Sequence, residues 1–317
     1  MPWCHAFVSV SARWGVIFIG LWLVLVPRPG SAAEGFTAPP GTSAIVGGVS
    51  AEEDELDAVV LLKTRAGHCS GTLIAPRLVL TAAHCLDDDS AHAGITVGFG
   101  PRGTTDSMLA QSFGLHPQFC EPCEEDAYDF AYVVLPRDYE PAGGYLRVLT
   151  DPREWDETMH AGNVVLLAGY GNDDPFLEHA STPLKRKVTT TMTEFSDHGT
   201  EFYAGGRQRD TCRGDSGGAA IVPLGRGAYR LAGVTSRGPK PCGRGGWYGV
   251  AYYALPWVQT LTGTRLLPLG CHRGDCLDLD MDADEAPGCH LGERPRRGAW
   301  TVMLWFLVRR RRRRHDS

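Results

Sequence analysis

A short stretch of this sequence contains a serine whose neighbours suit nucleophilic catalysis. Residues 210–218 read Asp-Thr-Cys-Arg-Gly-Asp-Ser-Gly-Gly, and the serine is Ser216. Glycines allow a tight turn and let the carbonyl group of a substrate approach the main chain, where backbone N–H groups can bind an oxyanion. Because an ordinary turn can have the same sequence, a nucleophile at Ser216 requires partners elsewhere in the chain.

A serine hydroxyl becomes a good nucleophile beside a histidine base that a carboxylate orients. His84 follows an apolar run within residues 78–85, and Asp129 begins another apolar run at residues 129–135. A carboxylate at the head of such a run can be buried against an imidazole. The chain order His84, Asp129, Ser216 is that of chymotrypsin and differs from that of subtilisin and of the α/β-hydrolases. These residues therefore predict a catalytic triad.

Four segments together resemble the signature segments of trypsin-like serine proteases. They are residues 45–48 (Ile-Val-Gly-Gly), 81–85, 129–135 and 210–218, and the resemblance extends over roughly residues 45–263. It implies that His84 is the general base, Asp129 its orienting carboxylate and Ser216 the nucleophile of a serine endopeptidase. It also implies that the backbone N–H groups of Gly214 and Ser216 form the oxyanion hole.

The same resemblance implies a pocket for one substrate side chain. Asp210, six residues before the nucleophile, matches the pocket floor, and Ser236, Gly238 and Gly249 match residues that line the pocket or keep it open. A carboxylate in a partly desolvated pocket favours arginine or lysine through charge-assisted hydrogen bonds. We therefore expect cleavage after Arg or Lys. Arg237 replaces the tryptophan usual in the family, so neighbouring subsites are expected to prefer acidic or small residues.

Activation is also implied by the resemblance. Cleavage before Ile45 would free an ammonium group that pairs with Asp215 and orders the oxyanion loop. The preceding residue is Ala44, which an enzyme specific for Arg or Lys is not expected to cut. A separate activating protease that prefers small residues is predicted to release a propeptide of residues 34–44. Cleavage by signal peptidase after Ala44 is the alternative.

Short strands are predicted to position these residues. Apolar runs separated by turn residues, a spacing typical of sandwiches and barrels, occur at residues 58–62, 71–75, 78–80, 95–99, 130–135, 164–168, 219–222, 231–234 and 247–254. The resemblance implies an all-β fold of two six-stranded antiparallel β-barrels, with the triad between them and a short C-terminal helix at residues 255–261. The second barrel is expected to begin near Gly162, and the protease domain is expected to span residues 45–265.

The N-terminal residues 1–33 have the features of a signal peptide. Arg13 precedes an apolar run at residues 16–26, which ends before the small residues Ser31, Ala32 and Ala33. The run is too short for a membrane span, which needs ~20 residues. Secretion is therefore expected, and it permits disulfide bonds.

Ten cysteines are present, and removal of Cys4 with the signal peptide leaves an odd number. The resemblance implies two disulfide bonds, Cys69–Cys85 beside the histidine and Cys212–Cys242 at the pocket. Two further local bonds are predicted, Cys120–Cys123 and Cys271–Cys276. Zinc binding by Cys120 and Cys123 is an alternative, but no second ligand pair of matching spacing lies nearby.

Beyond the domain, an acidic linker at residues 266–288 leads to a tail at residues 289–317. The tail contains Cys289, a short apolar run at residues 300–308 and six arginines at residues 309–314. As a helix, this run would cross only about half of a bilayer core. The layout resembles the C-terminal sorting tags of secreted myxobacterial proteins, which implies processing at Cys289 and attachment to the outer cell surface. A solvated basic tail or a nucleic-acid patch is the alternative.

The charge distribution argues against nucleic-acid binding by the domain. The formal net charge is -6, although eight of the 31 basic residues lie in the C-terminal arginine clusters, so the remainder of the chain is more acidic. No cofactor or metal is predicted, because the mechanism needs none and residues 98–111, where some relatives bind calcium, contain one carboxylate, Asp106. The expected partners are protein or peptide substrates and the activating protease. The alternative function is a catalytically silent, surface-displayed binding domain on the same scaffold.

Overall fold

The computed structural model describes residues 45–52, 55–171, 183–269, 271 and 277. The predicted signal peptide (1–33), propeptide (34–44) and sorting tail (289–317, with Cys289) lie outside these residues. Most of the predicted linker, including Cys276, also lies outside them.

The described residues form β-strands that are numbered here in chain order. They are β1 (Val49–Ser50), β2 (Val59–Lys63), β3 (His68–Ala75), β4 (Leu78–Thr81), β5 (Thr96–Phe99), β6 (Asp106–Leu109), β7 (Ser112–Leu115), β8 (Ala131–Val134), β9 (Val164–Gly169), β10 (Arg186–Phe195), β11 (Glu201–Ala204), β12 (Ala219–Pro223), β13 (Tyr229–Arg237) and β14 (Gly246–Val250). The α-helices are α1 (Asp89–His92), α2 (Pro152–Thr158) and α3 (Leu255–Thr262), and 3-10 turns occupy Ala83–Cys85, Gly225–Gly227 and Ala251–Ala254.

Two antiparallel sheets contain all of these strands. The first has the order β6-β5-β2-β3-β4-β8-β7 and curls into a half-barrel, and the second has the order β1-β10-β11-β14-β13-β12-β9. A further pairing of β10 with β9 closes six strands of the second sheet into a barrel. The predicted all-β, trypsin-like fold with its short C-terminal helix is confirmed. The first sheet differs from the predicted six-stranded barrel, because it has seven strands and they do not close into a barrel within the described residues.

The pattern of buried and exposed side chains along each strand reflects its place in the sheet. In β2 the first four residues, Val-Val-Leu-Leu, are buried and only the lysine is exposed. In β10, Val188, Thr190 and Met192 are buried, and the threonines between them face solvent. This period of two gives the strand one core face. Strand β10 was not predicted, because its few apolar residues are separated by threonines and form no apolar run.

The hydrophobic core extends past the predicted end of the domain at residue 265. Leu267 and Leu277 are 4% and 3% exposed and belong to the main core cluster. The Leu277 N–H donates to Tyr252 Oη at 3.2 Å. Leu267 and Leu277 of the predicted linker therefore pack against the domain, whereas Leu269 is exposed. Within the described residues, no helix combines the length and the hydropathy that a membrane crossing requires.

Candidate active site

Strand pairing in the first sheet brings His84 and Asp129 together. Thr81 at the end of β4 pairs with Ala131 at the start of β8, so the turn after β4 meets the residues before β8. His84 lies in that turn, and its backbone N–H donates to Asp129 Oδ1 at 2.9 Å. Its ring Nδ1 lies 2.7 Å from Asp129 Oδ2. An ionised carboxylate only accepts hydrogen bonds, so Nδ1 carries the proton and Nε2 is left as the basic nitrogen.

Ser236 provides a further hydrogen bond to this pair. Its hydroxyl donates to Asp129 Oδ2 at 2.6 Å, and Asp129 is only 4% exposed. Burial alone would raise the pKa of Asp129, but the hydrogen bonds and charge of His84 and the hydrogen bond from Ser236 outweigh it and lower this pKa. Burial would lower the pKa of His84, but its hydrogen bond and attraction to Asp129 raise this pKa overall. Ser236 was predicted as a pocket residue, and its bond to Asp129 depends on the tertiary structure.

The loop around Ser216 depends on its glycines. Gly214 and Gly217 have φ angles of 94° and 77°, in the region that favours glycine. A Cβ atom on Gly214 would lie 2.5 Å from His68 Nε2, and one on Gly217 would lie 2.0 Å from Thr81 Oγ1. A Cβ atom on Gly217 would also lie 2.4 Å from the Ser70 carbonyl oxygen, which excludes a side chain there, and the positive φ angle disfavours one at Gly214. The Gly-Asp-Ser-Gly-Gly sequence therefore reflects steric requirements of the loop.

Ser216 lines a cavity of about 420 Å³ together with three of the four predicted pocket residues, Asp210, Ser236 and Gly238. Asp210 is 2% exposed, and its carboxylate accepts three backbone hydrogen bonds, from Thr211 at 2.8 Å, Gly243 at 2.9 Å and Gly245 at 2.9 Å. Burial raises the pKa of Asp210, and these hydrogen bonds partly oppose the rise. The carboxyl group is thus fixed in the wall of the cavity that contains Ser216.

The prediction that Gly249 lines this cavity was wrong, because the strand register places Gly246 there. Arg237 on β13 pairs with Trp247 on β14. A Cβ atom on Gly238 would lie 3.2 Å from the Gly246 Cα, and both glycines line the cavity. A Cβ atom on Gly249 would instead lie 2.8 Å from the Phe130 ring. The residues of β14 do not match the sequence motif that is usual in the family. Only the pairing of β14 with β13 therefore identifies the pocket glycine.

Arg237 is held by a buried carboxylate. Its guanidinium forms an ion pair with Glu201, including an Nη2 to Oε2 hydrogen bond of 2.8 Å, and Glu201 is 2% exposed. The guanidinium also donates to the Glu124 carbonyl and lies 5.9 Å from the Trp247 ring centroid. Burial opposes the charged form, but Glu201 raises the pKa of Arg237 overall. Because Glu201 already neutralises Arg237, the expected preference for acidic residues loses its physical basis.

Disulfide bonds join Cys69 to Cys85, Cys120 to Cys123 and Cys212 to Cys242, as predicted. Since the sulfurs of Cys120 and Cys123 are bonded to each other, they are not available as zinc thiolates. Cys271 is disulfide-bonded, and Cys276 lies outside the described residues, so the predicted Cys271–Cys276 bond stays a prediction.

The first described residues pack against the segment that carries Ser216. Ile45 is completely buried, and Val46 pairs with Asp210, whose backbone N–H donates to the Val46 carbonyl at 3.1 Å. Asp215 is also completely buried. The new N-terminus that cleavage before Ile45 would create therefore belongs to a buried segment next to this loop.

The buried Asp215 carboxylate accepts backbone hydrogen bonds from Gly171 at 2.7 Å and Cys212 at 2.8 Å. Burial is the main cause that raises the pKa of Asp215 to about 7, and these hydrogen bonds oppose it. An ionised carboxylate at this position would be stabilised by a nearby cation.

The curled sheet, the closed barrel and the hydrogen-bonded pair of His84 with the buried Asp129 define the class of trypsin-fold proteins. The model of the Trypsin family matches residues 45–258, more than half of the chain, and the chain belongs to this family.

Several curated relatives are similar over this region. Serine protease ea of Drosophila melanogaster is 27% identical over 288 residues, which cover 74% of this chain and 72% of that protein. Melanization protease 1 of Drosophila melanogaster is 28% identical over 261 residues, covering 68% of this chain and 64% of that protein. Ovochymase-2 of Mus musculus is 29% identical over 222 residues, covering 64% of this chain and 36% of that protein. The chain thus spans less than two thirds of the length of the last two relatives.

Proposed function

We propose that this protein is a serine endopeptidase with Ser216 as its nucleophile. Ser216 attacks the scissile carbonyl while His84 accepts its proton, His84 then protonates the leaving amine, and water hydrolyses the acyl-enzyme. The observation that carries the proposal is the buried Asp129, which lies 2.7 Å from His84 Nδ1 and accepts a 2.6 Å hydrogen bond from Ser236. This arrangement favours the tautomer in which His84 Nε2 acts as the base.

The backbone N–H groups of Gly214 and Ser216 are proposed to form the oxyanion hole. Support comes from the loop geometry, because the φ angle of 94° at Gly214 turns the chain tightly just before Ser216. Donors of this kind stabilise charge that develops in the transition state, and the loss of one costs about 100-fold to 1,000-fold in kcat.

Covalent labelling tests the nucleophile. Protein with Ile45 as its N-terminus is expected to react with a fluorophosphonate probe, and Ser216→Ala is expected to abolish the labelling. Ser107→Ala is the matched control, because Ser107 is an exposed serine on β6 and its loss should leave labelling unchanged. Folded mature protein that takes up no probe would favour the alternative, a catalytically silent binding domain.

Cleavage after Arg or Lys is the proposed specificity. It is supported by the carboxylate of Asp210, which is fixed by three backbone N–H groups in the cavity that also contains Ser216. A cationic side chain in this cavity would form a charge-assisted hydrogen bond with it. Digestion of a peptide library should give cuts mainly after Arg and Lys. Cuts distributed equally after apolar residues would contradict the assignment.

Activation is proposed to follow cleavage between Ala44 and Ile45. The freed ammonium of Ile45 would supply a cation for Asp215, whose buried carboxyl has a pKa raised to about 7. Because Ala44 is not basic, a separate protease with a preference for small residues is proposed to make this cut. N-terminal sequencing of the active form should give Ile45, and a different first residue would contradict the proposal.

Export is proposed to use residues 1–33 as a signal peptide, with the tail as a sorting tag. The supporting pattern is Cys289 followed by a short apolar run and an arginine cluster. The mature protein is then expected to end near Cys289 and to be retained at the outer cell surface. Mass spectrometry of the exported protein tests this, and the presence of Arg314 in that protein would contradict it.

A further inference from the structure

Ser70 is a buried serine that contacts the loop of the proposed oxyanion hole. It lies on β3 and is completely buried. Its hydroxyl donates to the Gly214 carbonyl at 2.8 Å and accepts from the Tyr170 N–H at 2.8 Å. Its backbone N–H donates to the Ser216 carbonyl at 2.8 Å. One residue outside the triad therefore bonds to both residues that are proposed to supply oxyanion donors.

The bond to the Gly214 carbonyl has a particular geometric consequence. This carbonyl belongs to the peptide group between Gly214 and Asp215, which lies between the N–H groups of Gly214 and Ser216 along the chain. A glycine can rotate its adjoining peptide groups at little steric cost, so its own sequence does not select one orientation. The Ser70 hydroxyl holds the carbonyl turned toward β3. The N–H of the same peptide, that of Asp215, donates to the Cys212 carbonyl at 3.0 Å, so the relative direction of the two oxyanion donors depends on both contacts.

The hydroxyl lies in a tightly packed position. A Cβ atom on Gly169 would lie 3.0 Å from Ser70 Oγ, and one on Gly218 would lie 3.2 Å from Ser70 Cβ. A larger side chain at residue 70 would therefore meet backbone on both sides. Alanine, in contrast, removes only the hydroxyl and its hydrogen bonds, with the backbone of β3 unchanged.

We propose that Ser70 is a positioning residue for catalysis: its hydroxyl fixes the Gly214–Asp215 peptide so that the oxyanion donors point to one site. The inference rests on the proposed endopeptidase function and adds to it. Without the hydroxyl, both the Gly214 carbonyl and the Tyr170 N–H lose a buried partner. The peptide then keeps the bond from the Asp215 N–H to the Cys212 carbonyl but loses the bond on its carbonyl side, so its orientation is less strictly fixed. The expected defect is in transition-state stabilisation and leaves the pocket around Asp210 intact.

A matched control lies two residues further along the same strand. Thr72 is 1% exposed, and within the described residues its hydroxyl has no hydrogen-bond partner. Thr72→Val therefore removes a buried hydroxyl on the same face of β3 with no loss of a hydrogen bond to the loop.

The test uses protein produced as the full chain and cleaved before Ile45. Wild type, Ser70→Ala and Thr72→Val are compared in hydrolysis of an arginyl peptide amide, in binding of benzamidine and in inhibition by a peptidyl arginine boronic acid. Benzamidine reports on the pocket alone, whereas the tetrahedral boronate adduct on Ser216 places an oxygen in the oxyanion hole. For Ser70→Ala we expect kcat to fall at least about tenfold and boronate affinity to fall by a similar factor. Benzamidine affinity and KM should change less than about twofold, and Thr72→Val should resemble wild type.

Wild-type kcat and boronate affinity in Ser70→Ala would overturn the inference, and so would equal losses of benzamidine and boronate affinity, which indicate general damage. If Ser70→Ala does not fold, Ser70→Gly replaces it, because glycine also removes the hydroxyl and adds no bulk to this tightly packed position. The same selective loss is then expected, and unchanged kinetics in this variant would overturn the inference. A wild type that reacts with neither fluorophosphonate nor boronate would refute the endopeptidase proposal itself.

Discussion

The carboxyl group of Asp215 is predicted to make the uncleaved precursor less stable at neutral pH than at mildly acidic pH. Its pKa is about 7 in the folded chain, chiefly because burial disfavours the ionised form, against an ordinary value of 3.8. In the unfolded chain the group loses its proton near pH 4, and in the folded chain it keeps the proton until about pH 7. The unfolded state therefore binds fewer protons in this window, and the free energy of unfolding falls as the pH rises through it.

The size of this destabilisation follows from the pKa shift of Asp215. A rise of roughly three pKa units corresponds to about 4 kcal/mol of destabilisation above pH 7, at 1.36 kcal/mol per unit. Between pH 5 and pH 7.5 the expected loss is about 2.5 kcal/mol, because part of the penalty is already present at pH 5. Cleavage before Ile45 should remove most of this loss, since the new ammonium favours the ionised carboxylate.

Urea unfolding at pH 5 and pH 7.5 measures the effect. The precursor carries Ser216→Ala to prevent autolysis, and it is compared with the same protein carrying Asp215→Asn, so that titration of all other groups cancels. Asparagine should reduce the stability difference between the two pH values by about 2–3 kcal/mol. The cleaved form serves as a second comparison and should also show a smaller difference. If the asparagine precursor keeps the full pH dependence of its parent, the burial argument for Asp215 is wrong.

Further predictions concern the pocket, the base and the buried ion pair. Asp210→Ser should reduce kcat/KM on arginyl peptides at least about 100-fold, with much less change on apolar peptides, and equal losses on both would refute the pocket assignment. Because the pKa of His84 is raised above its ordinary value of 6.5, kcat/KM should fall as the pH drops through a pKa above that value, and a pH-rate profile with a lower midpoint would contradict this. Arg237→Ala should lower the free energy of unfolding by about 2 kcal/mol or more, since it leaves the charge of Glu201 buried. Because Arg237 is partly exposed, this loss should stay below the ~3–5 kcal/mol expected for a fully buried ion pair. Adding Glu201→Gln should restore part of the loss in thermal or urea unfolding, and no recovery would argue against the ion pair as its cause.

Local sequence patterns predicted some elements and missed others for identifiable reasons. Continuous apolar runs located strands such as β2 and β12, because residues buried on both faces of a strand form such runs. Strand β10 was missed, since threonines separate its buried residues. Helix α2 was missed although a signal was present: Asp151 precedes a proline and caps the helix by accepting from the N–H groups of Arg153 and Glu154.

Local sequence patterns also did not predict some contacts of the candidate site. Gly249 was predicted as a pocket glycine, whereas Gly246 lines the cavity, because the local sequence does not give the strand register. The ion pair between Arg237 and Glu201 was not predicted, since the partners lie on different strands and either residue alone resembles an exposed charge.

The sequence by itself led to the chemistry proposed for the site, through His84, Asp129 and Ser216 in the Gly-Asp-Ser-Gly-Gly segment. Such motifs can be recognised in a sequence because the local backbone of the loop around Ser216 favours glycine, as the positive φ angles of Gly214 and Gly217 illustrate. Only the tertiary structure decided how the site is supported, with the Ser236 hydroxyl on Asp129 and the Ser70 hydroxyl on the Gly214 carbonyl. These contacts join residues that are distant in the chain, and they depend on strand register and sheet curvature, which are properties of the whole fold.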